Sequence, residues 1–394
     1  MSESLSNIYN NVSNALLINT DAMAKLQEQV STGSRINRVS DDTTSALKVL
    51  SLQSQQKSMD NYINTIAETS SSLELSSGII QDIISSLSEV RTQITQVSSG
   101  IYSQDARGRT AEGINDILEQ VVTLANTKNL GQYIFGGGNT QTAPYQVERT
   151  NGDITSVTYQ GSKQNRNVEV ADGMQTNSLL VGDDVFHSDN RGTSEFFGDT
   201  GAQAGSGTSS IEGDTWLTVT GSEGNWNLSI DGGLTTFASD GTDTNLAVVN
   251  STNGKVLYVD TTQITNEGVD LVRTSGTYDL FGMLISVRDI LKNEANLSES
   301  QIRELQNTTL SSVEEVNSLL VQTEVKLGSR IGFLDDLKQT MTDMKYNAED
   351  ESTTLQEADI AQISVDLTRR EILYQMSLSI AGKVMSVSLL DFIG

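Results

Sequence analysis

The sequence has no cysteine, one proline (Pro144), one histidine (His187) and an aromatic content of only 5%. Without cysteine the chain can form no disulfide and carry no thiolate chemistry, so it can cross an oxidising space without scrambling. Because proline breaks helices, its confinement to position 144 leaves both ends of the chain free to form long ones. The lone histidine lies in a turn-rich stretch and is more typical of a surface residue than of a catalyst.

Basic residues and long apolar runs are also scarce. The chain has 25 basic and 51 acidic residues, a net charge of -26. This charge would repel a phosphate backbone and an anionic membrane surface, so it disfavours both as partners. No run reaches the ~18 apolar residues that a transmembrane helix needs. The first eleven residues lack a basic region followed by an apolar run, so we expect export, if it occurs, without an ordinary cleaved signal peptide.

Both ends of the chain carry apolar or small residues at alternating steps of four and three. The N-terminal repeat runs from Met59 to Ile101, and the C-terminal repeat runs from Ile302 to Ala348. An average step of 3.5 residues keeps one stripe on one side of a helix and favours a left-handed supercoil. Each repeat needs a helical partner. The two ends are therefore predicted to form one long antiparallel coiled-coil bundle.

Outside these repeats, residues 1–32 and about 354–390 have the pattern of amphipathic helices. We expect their apolar residues to form an assembly interface, namely Leu5, Ile8, Val12, Leu16, Leu26, Val30, Ile363, Leu367, Tyr374, Leu378 and Met385. Gly33 interrupts the first helix, and residues 33–42 would form a hinge in which Arg35 contacts an acidic neighbour. Ordering such ends costs backbone entropy, so we expect residues 1–32 and 355–394 to be loosely docked until assembly.

The middle of the chain has a different composition. Residues 140–275 hold 17 of the 32 glycines, with 18 acidic and six basic residues, so -12 of the net charge lies there. Short β-type runs alternate with turn signals such as Asn253-Gly254. The sequence thus predicts a mostly α protein with an inserted β-rich domain. Its expected domains are 1–40 with 354–394, 41–140 with 276–353, and an outer domain 141–275 that in an alternative interpretation splits near 192–213.

No motif in the sequence indicates catalysis, a cofactor or a metal. Gly136, Gly137 and Gly138 are followed by Asn139 rather than by the lysine of a phosphate loop, so a plain turn is expected. Three acidic pairs, at 41–42, 183–184 and 335–336, lack the ligand spacing of a calcium loop. These observations argue against an enzyme and predict no bound cofactor or metal.

Several segments at the two ends resemble the bacterial flagellin family. Residues 31–42, Ser-Thr-Gly-Ser-Arg-Ile-Asn-Arg-Val-Ser-Asp-Asp, are similar to its N-terminal signature. Further similarity lies at Ser103, Asp105 and Arg107, at residues 124–127, and at residues 327–335. The resemblance covers about 1–140 and 276–394.

Within that family, other segments resemble the members that join hook to filament rather than those that build the filament. They are residues 131–137 with 142–145, residues 159–161 with 168–170, residues 182–186, and the terminal run 388–393. Residues 190–275 have no counterpart in this resemblance.

The resemblance implies an extracellular structural protein of the flagellum, exported by the flagellar type III pathway. It implies a ring of about eleven copies, as closed rotational symmetry allows. Implied partners are the hook-side junction protein (hook-associated protein 1), filament flagellin, and an export chaperone on the C-terminal helix. Two alternatives remain open, namely a filament flagellin and a secreted adhesin with a helical stalk and a β-rich head.

Overall fold

The computed structural model describes residues 2–98, 103–293, 295 and 297–393, with the side chains of 2–6, 8, 9 and 384–393 excepted. By its contacts the chain divides into two compact units. The terminal unit comprises Met1–Asn64 and Leu337–Gly394, and the central unit comprises Thr65–Asp336. The three predicted domains stay a prediction.

Helices account for most of the described residues. They are α1 (Ser2–Thr32), α2 (Thr43–Ser98), α3 (Gln104–Ala125), α4 (Gly182–Phe186), α5 (Leu280–Lys292), α6 (Glu299–Gln356) and α7 (Ile360–Ile393). The predicted long helices at both ends are therefore present, and the predicted end of α2 at Ile101 lies outside the described residues.

The strands lie between α3 and α5. They are β1 (Lys128–Asn129), β2 (Gln132–Tyr133), β3 (Tyr145–Thr150), β4 (Asp153–Tyr159), β5 (Asn167–Ala171), β6 (Met174–Asn177), β7 (Ser194–Phe197), β8 (Gln203–Ala204), β9 (Gly213–Ser222), β10 (Asn225–Ser229), β11 (Phe237–Ser239), β12 (Leu246–Val249), β13 (Val256–Asp260) and β14 (Gly268–Thr274). The pairs β1–β2, β3–β4 and β5–β6 are separate antiparallel hairpins, whereas β7 onward forms two sheets, in the orders β11-β10-β9-β14-β7 and β12-β13-β8.

The heptad stripes of α2 and α6 form the core of the helical part of the central unit. The stripe residues that are almost fully buried are Ile66, Leu73, Ile80, Leu87 and Ile94 on α2 and Ile302, Leu305, Val313, Val316, Leu320, Leu327 and Leu334 on α6. Glu324 accepts hydrogen bonds of 2.6 Å from Ser77 and Gln81, which joins the two helices directly. The predicted helical pairing of both chain ends is confirmed.

Two predicted helix boundaries are wrong. The glycines at 100 and 108 predict a loop around Gly100–Gly108, but α3 begins directly after Ser103, because the Ser103 hydroxyl accepts a hydrogen bond from the Ala106 amide and caps α3. The C-terminal apolar repeat predicts a helix end at about Asn347, but α6 continues to Gln356, and α7 begins only at Ile360. Asp359 accepts a 3.0 Å hydrogen bond from the Gln362 amide and so fixes that start.

An aromatic cluster fixes the hairpins against α5. Tyr145 of β3 packs against Phe186 of α4 and Phe281 of α5, with ring centroids 5.9 and 4.6 Å apart. The predicted glycine turn lies beside this cluster, and Gly137 adopts a φ of +59°. A Cβ on Gly137 would lie 2.2 Å from the carbonyl oxygen of Ser162, so only glycine fits there.

The strands from β7 onward enclose a core of their own. Leu217, Val219, Leu228, Leu257 and Val259 are each no more than 1% exposed. At the side of this sheet that faces α5, the Asp214 carboxylate accepts two hydrogen bonds from Arg273, of 2.8 and 2.9 Å, and further ones from Tyr278 and Ser286. This buried ion pair joins β9, β14 and α5 within the central unit.

Candidate assembly interface

The terminal unit contains the residues that the sequence assigns to assembly. Helices α1 and α7 pack along each other. The Ala358 amide donates to the Gly33 carbonyl at 3.1 Å, and farther along Arg370 donates to Asn19 at 3.2 Å. Since residue numbers rise on one helix as they fall on the other, the two helices are antiparallel. We call α1 and α7 the terminal pair.

The segment between α1 and α2 is held by backbone and side-chain contacts to the end of α6. The Arg35 amide donates to the Gln356 carbonyl at 2.7 Å, and the Gln29 side chain donates to the Arg35 carbonyl at 2.8 Å. The Arg35 guanidinium donates to the Leu355 carbonyl and to Asp42, each at 3.1 Å. Arg35 thus contacts an acidic residue of its own chain, while its predicted contact with another subunit stays a prediction.

Two adjacent aspartates stabilise this segment as anions. The Asp41 carboxylate lies 2.9 Å from the Lys25 ammonium group and accepts a hydrogen bond from the Arg38 amide, and these contacts lower its pKa. The hydroxyl and amide of Ser45, followed by the Arg35 guanidinium, lower the pKa of Asp42 to about 2. Both carboxylates are therefore ionised at neutral pH, as a helix N-terminus favours.

The predicted interface residues differ in how far the terminal pair covers them. Ile363 is buried, and Val12, Leu16, Leu26, Leu367 and Tyr374 are half-buried. Val30 and Leu378 are exposed. The side chains of Leu5, Ile8 and Met385 lie outside the described residues. The contacts within one chain therefore cover only part of the predicted stripe, and its role in assembly stays a prediction.

A second set of apolar residues on the terminal pair is exposed to solvent, and the sequence prediction did not include it. The set comprises Leu17, Ile18, Val365, Ile372, Met376 and Ile380. Leu17 and Val365, for example, are 61% and 63% exposed. The four members on α7 follow steps of seven, four and four, which place them on one side of the helix. We call these six residues the exposed apolar set.

The signal for this set was present in the sequence of α7. Apolar residues occur on more than one side of this helix, as Ile363 and Val365 show, and a helix that is apolar all round is typical of a buried one. Monomeric proteins rarely leave a contiguous apolar patch of this kind uncovered. The arrangement can therefore bind further helices by burying apolar surface.

The remaining candidate sites take part in local structure. The amide of His187 donates to the Asp183 carbonyl at 3.1 Å, and Asp183 pairs with Lys163 at 2.5 Å. Among the described residues no group of three or more His, Asp or Glu side chains is arranged to hold a metal ion. The same part of the chain includes no helix long and apolar enough to cross a membrane.

Comparison with known proteins gives matches to flagellar proteins. Residues 4–140 match the bacterial flagellin N-terminal helical region. A segment of 128 residues is 32% identical to flagellar hook-associated protein 3 of Escherichia coli, over 32% of this chain and 40% of that protein. A segment of 180 residues is 24% identical to the flagellar filament 30.7 kDa core protein of Treponema maltophilum, over 46% of this chain and 60% of that protein.

Among solved structures, the chain is similar to the flagellar junction protein of Legionella pneumophila. The TM-score is 0.51 at 17% identity, over 79% of this chain and 100% of that structure. At that identity the likeness concerns the fold, and it confirms the mostly helical architecture with a β-rich insertion. The resemblance to the flagellin family is confirmed, and the matched segments span less than two thirds of these curated relatives.

Proposed function

We propose that this chain is a structural subunit of the bacterial flagellum that forms the junction between hook and filament. The observation that carries the proposal is the exposed apolar set on a terminal pair whose N-terminal helix matches the flagellin family. Packing of this set against other subunits would bury it, which favours assembly at ~25 cal/mol per Å² of apolar surface. The protein acts by assembly and not by catalysis.

The partners follow from this role. We infer that copies of the chain associate through their terminal pairs in a ring, with the hook-side junction protein on one side and filament flagellin on the other. Before export, a chaperone would cover α7, whose exposed side chains would otherwise promote aggregation. Export would use the flagellar type III pathway and place the protein outside the cell.

Assembly would also complete the order of the terminal pair. Several of its apolar side chains are only half covered within one chain, so burial returns little of the entropy lost on ordering residues 1–32 and 355–394. We therefore expect these segments to be cleaved by protease in the monomer well before the central unit. Equal resistance of the two regions would contradict this part of the proposal.

A filament flagellin is the second candidate. It is favoured by the similarity to the filament core protein of Treponema maltophilum, and such a subunit would also expose apolar terminal helices. The two candidates differ in where the protein lies on the flagellum, so location decides between them.

The test is immunogold electron microscopy of intact cells with antibody against residues 140–275. We expect one band of gold where hook meets filament. Gold along the whole filament would identify a filament subunit instead, and gold away from flagella would contradict both candidates.

Two variants connect location to the terminal pair. Ile372→Asp introduces a charge into the exposed apolar set, and we expect it to abolish the gold band while the soluble protein keeps its helix content. Gln375→Asp is the matched control, because it adds the same charge to an exposed polar position of α7. A band that survives in Ile372→Asp would mean that the exposed apolar set is not the interface.

A further inference from the structure

One arginine lies on the same side of α7 as the four members of the exposed apolar set on that helix. Arg369 is four residues after Val365 and three before Ile372, so all three lie on the same side of the helix. It is exposed, and among the described residues no hydrogen bond or ion pair to its guanidinium is found. Most other arginines in this acidic chain bind a carboxylate, as Arg35, Arg91 and Arg273 do.

The surroundings of Arg369 form a groove between α1 and α7. Its lining includes Lys25, Asp366, Arg369 and Arg370, with Leu26 and Leu373 as apolar members. Lys25 is paired with Asp41, and Asp366 accepts a hydrogen bond from Gln362 at 3.2 Å. Arg370 donates to the amide oxygen of Asn19. Within the part of the chain that the structure describes, neither of these two adjacent guanidinium groups forms an ion pair with a carboxylate, although the chain has twice as many acids as bases.

Covering the exposed apolar set would also take Arg369 out of water. Burying a guanidinium without an anionic partner is costly, because its hydration is lost and nothing replaces it. A partner helix that buries Val365 and Ile372 must therefore bring a carboxylate to Arg369. The partner surface must therefore carry apolar side chains and a carboxylate next to each other.

The end of α6 in the terminal unit presents such a surface. Tyr346 is 62% exposed and lies four residues before Asp350, so the two are neighbours on the helix. Asp350 and Glu349 are exposed, and in the described part of the chain Asp350 forms no hydrogen bond or ion pair. The adjacent Glu351 is paired with Lys48, and Glu349 acts electrostatically on Lys345, which is itself paired with Asp60. Asp350 is therefore the main carboxylate available to an outside partner, with Glu349 beside it.

We propose that the Arg369 groove of one copy binds the Tyr346–Asp350 surface of a second copy, with Arg369 and Arg370 paired to Asp350 and Glu349. The contact joins two different surfaces head to tail, which is the interface type that generates rings and helical tubes. This inference rests on the proposed function for its setting, because it names the surfaces through which the copies associate.

Charge exchange in the full-length chain tests the pairing. Purified wild type, Arg369→Glu, Asp350→Arg and the double variant would be compared for self-association by analytical ultracentrifugation at low salt. We expect each single variant to associate at least tenfold more weakly, because each places like charges together. The double variant should regain most of the association, since it restores opposite charges in reversed order. Arg109→Glu, an exposed arginine of α3, is the charge-matched control and should behave as wild type.

Three results would overturn the proposal. They are a double variant no better than the single ones, an Asp350→Arg variant that associates like wild type, and a wild-type chain that does not self-associate. If only Arg369→Glu lost association, the acid would belong to another part of the copy or to another partner. Arg369→Gln removes the charge without reversing it and should weaken self-association to an intermediate degree. It serves as a second test in case the glutamate variant misfolds.

The charge-exchange experiment and the immunogold experiment can fail independently of each other. The gold band reports where the protein resides, whereas rescue in the double variant reports which side chains meet. Rescue with gold elsewhere on the flagellum would preserve the interface and refute the junction role. A gold band without rescue would preserve the role and refute the interface.

Discussion

The central unit buries its apolar stripe, whereas the terminal unit leaves much of its own in solvent. On α2, Leu73 and Ile80 are fully buried against helices of the same chain. On α7, Val365 and Ile372 follow an equally regular spacing and remain exposed. A heptad-like pattern therefore predicts that a helix needs a helical partner, but it does not show whether the same chain or another molecule supplies that partner.

The same contrast holds for charged pairs. Arg273 and Asp214 of the central unit are paired with side chains only 7% and 4% exposed, whereas the pair Arg35–Asp42 of the terminal unit is 46% and 31% exposed. Burial makes the first pair a requirement of the fold, since either partner alone would be an unpaired charge. Because the second pair is exposed to solvent, it contributes little to the free energy of unfolding.

The largest expected effect tests this contrast between ion pairs. Arg273→Ala should lower the free energy of unfolding of the central unit by about 3–5 kcal/mol, because Asp214 would remain buried without its guanidinium. Arg35→Ala should cost at most about 1 kcal/mol. Urea unfolding of both variants followed by circular dichroism measures the two values. Equal losses would contradict the comparison.

A second pair of variants compares the two apolar stripes. Leu87→Ala in α2 should lower the free energy of unfolding by about 2–5 kcal/mol, because it leaves a cavity in a core that is closed to solvent. Ile372→Ala in α7 should change the unfolding free energy by less than about 0.5 kcal/mol, as surface substitutions do. Thermal unfolding of the monomer gives both results, and a large loss for Ile372→Ala would show that the chain itself covers this residue.

A smaller effect is expected at Gly78, within α2 of the central unit. No atom lies within 4 Å of a Cβ placed there, and the φ angle is not positive. Gly78→Ala should therefore raise the unfolding free energy by about 0.5–1 kcal/mol, because alanine loses less backbone freedom in a helix. Urea unfolding checks the sign, and destabilisation would mean that another helix approaches this position closely.

The smallest effect is the pH dependence of the segment between α1 and α2. The pKa of Asp42 is lowered from 3.8 to about 2 in the folded chain. The ionised carboxylate therefore stabilises the folded chain fully above the ordinary pKa of 3.8. This stabilisation is lost as the pH falls from about 4 to 2. We expect the carboxyl chemical shift of Asp42 to titrate near pH 2, and Arg35→Ala to move it upward. If the titration of Asp42 were unchanged in Arg35→Ala, the hydrogen bonds from Ser45 alone would account for the lowered pKa of Asp42.

Sequence reasoning anticipated the helices better than the surfaces. The spacing of Leu320, Leu327 and Leu334 predicted burial along α6, and all three residues are buried. The interface prediction named Leu367 and Tyr374, which are only half-buried, and omitted the more exposed Val365 and Ile372. Periodicity identifies the strongest stripe on a helix, but it does not show which side the rest of the chain covers.

Local sequence pattern was enough to predict the long helices and the β-rich insertion between them, because spacing, turn residues and the absence of proline act within a few residues. The packing of the folded chain, in contrast, brings Asp214 to Arg273 and, among the described residues, leaves Arg369 without a carboxylate partner. These facts depend on residues distant in the chain and on burial, and neither is encoded in any local pattern.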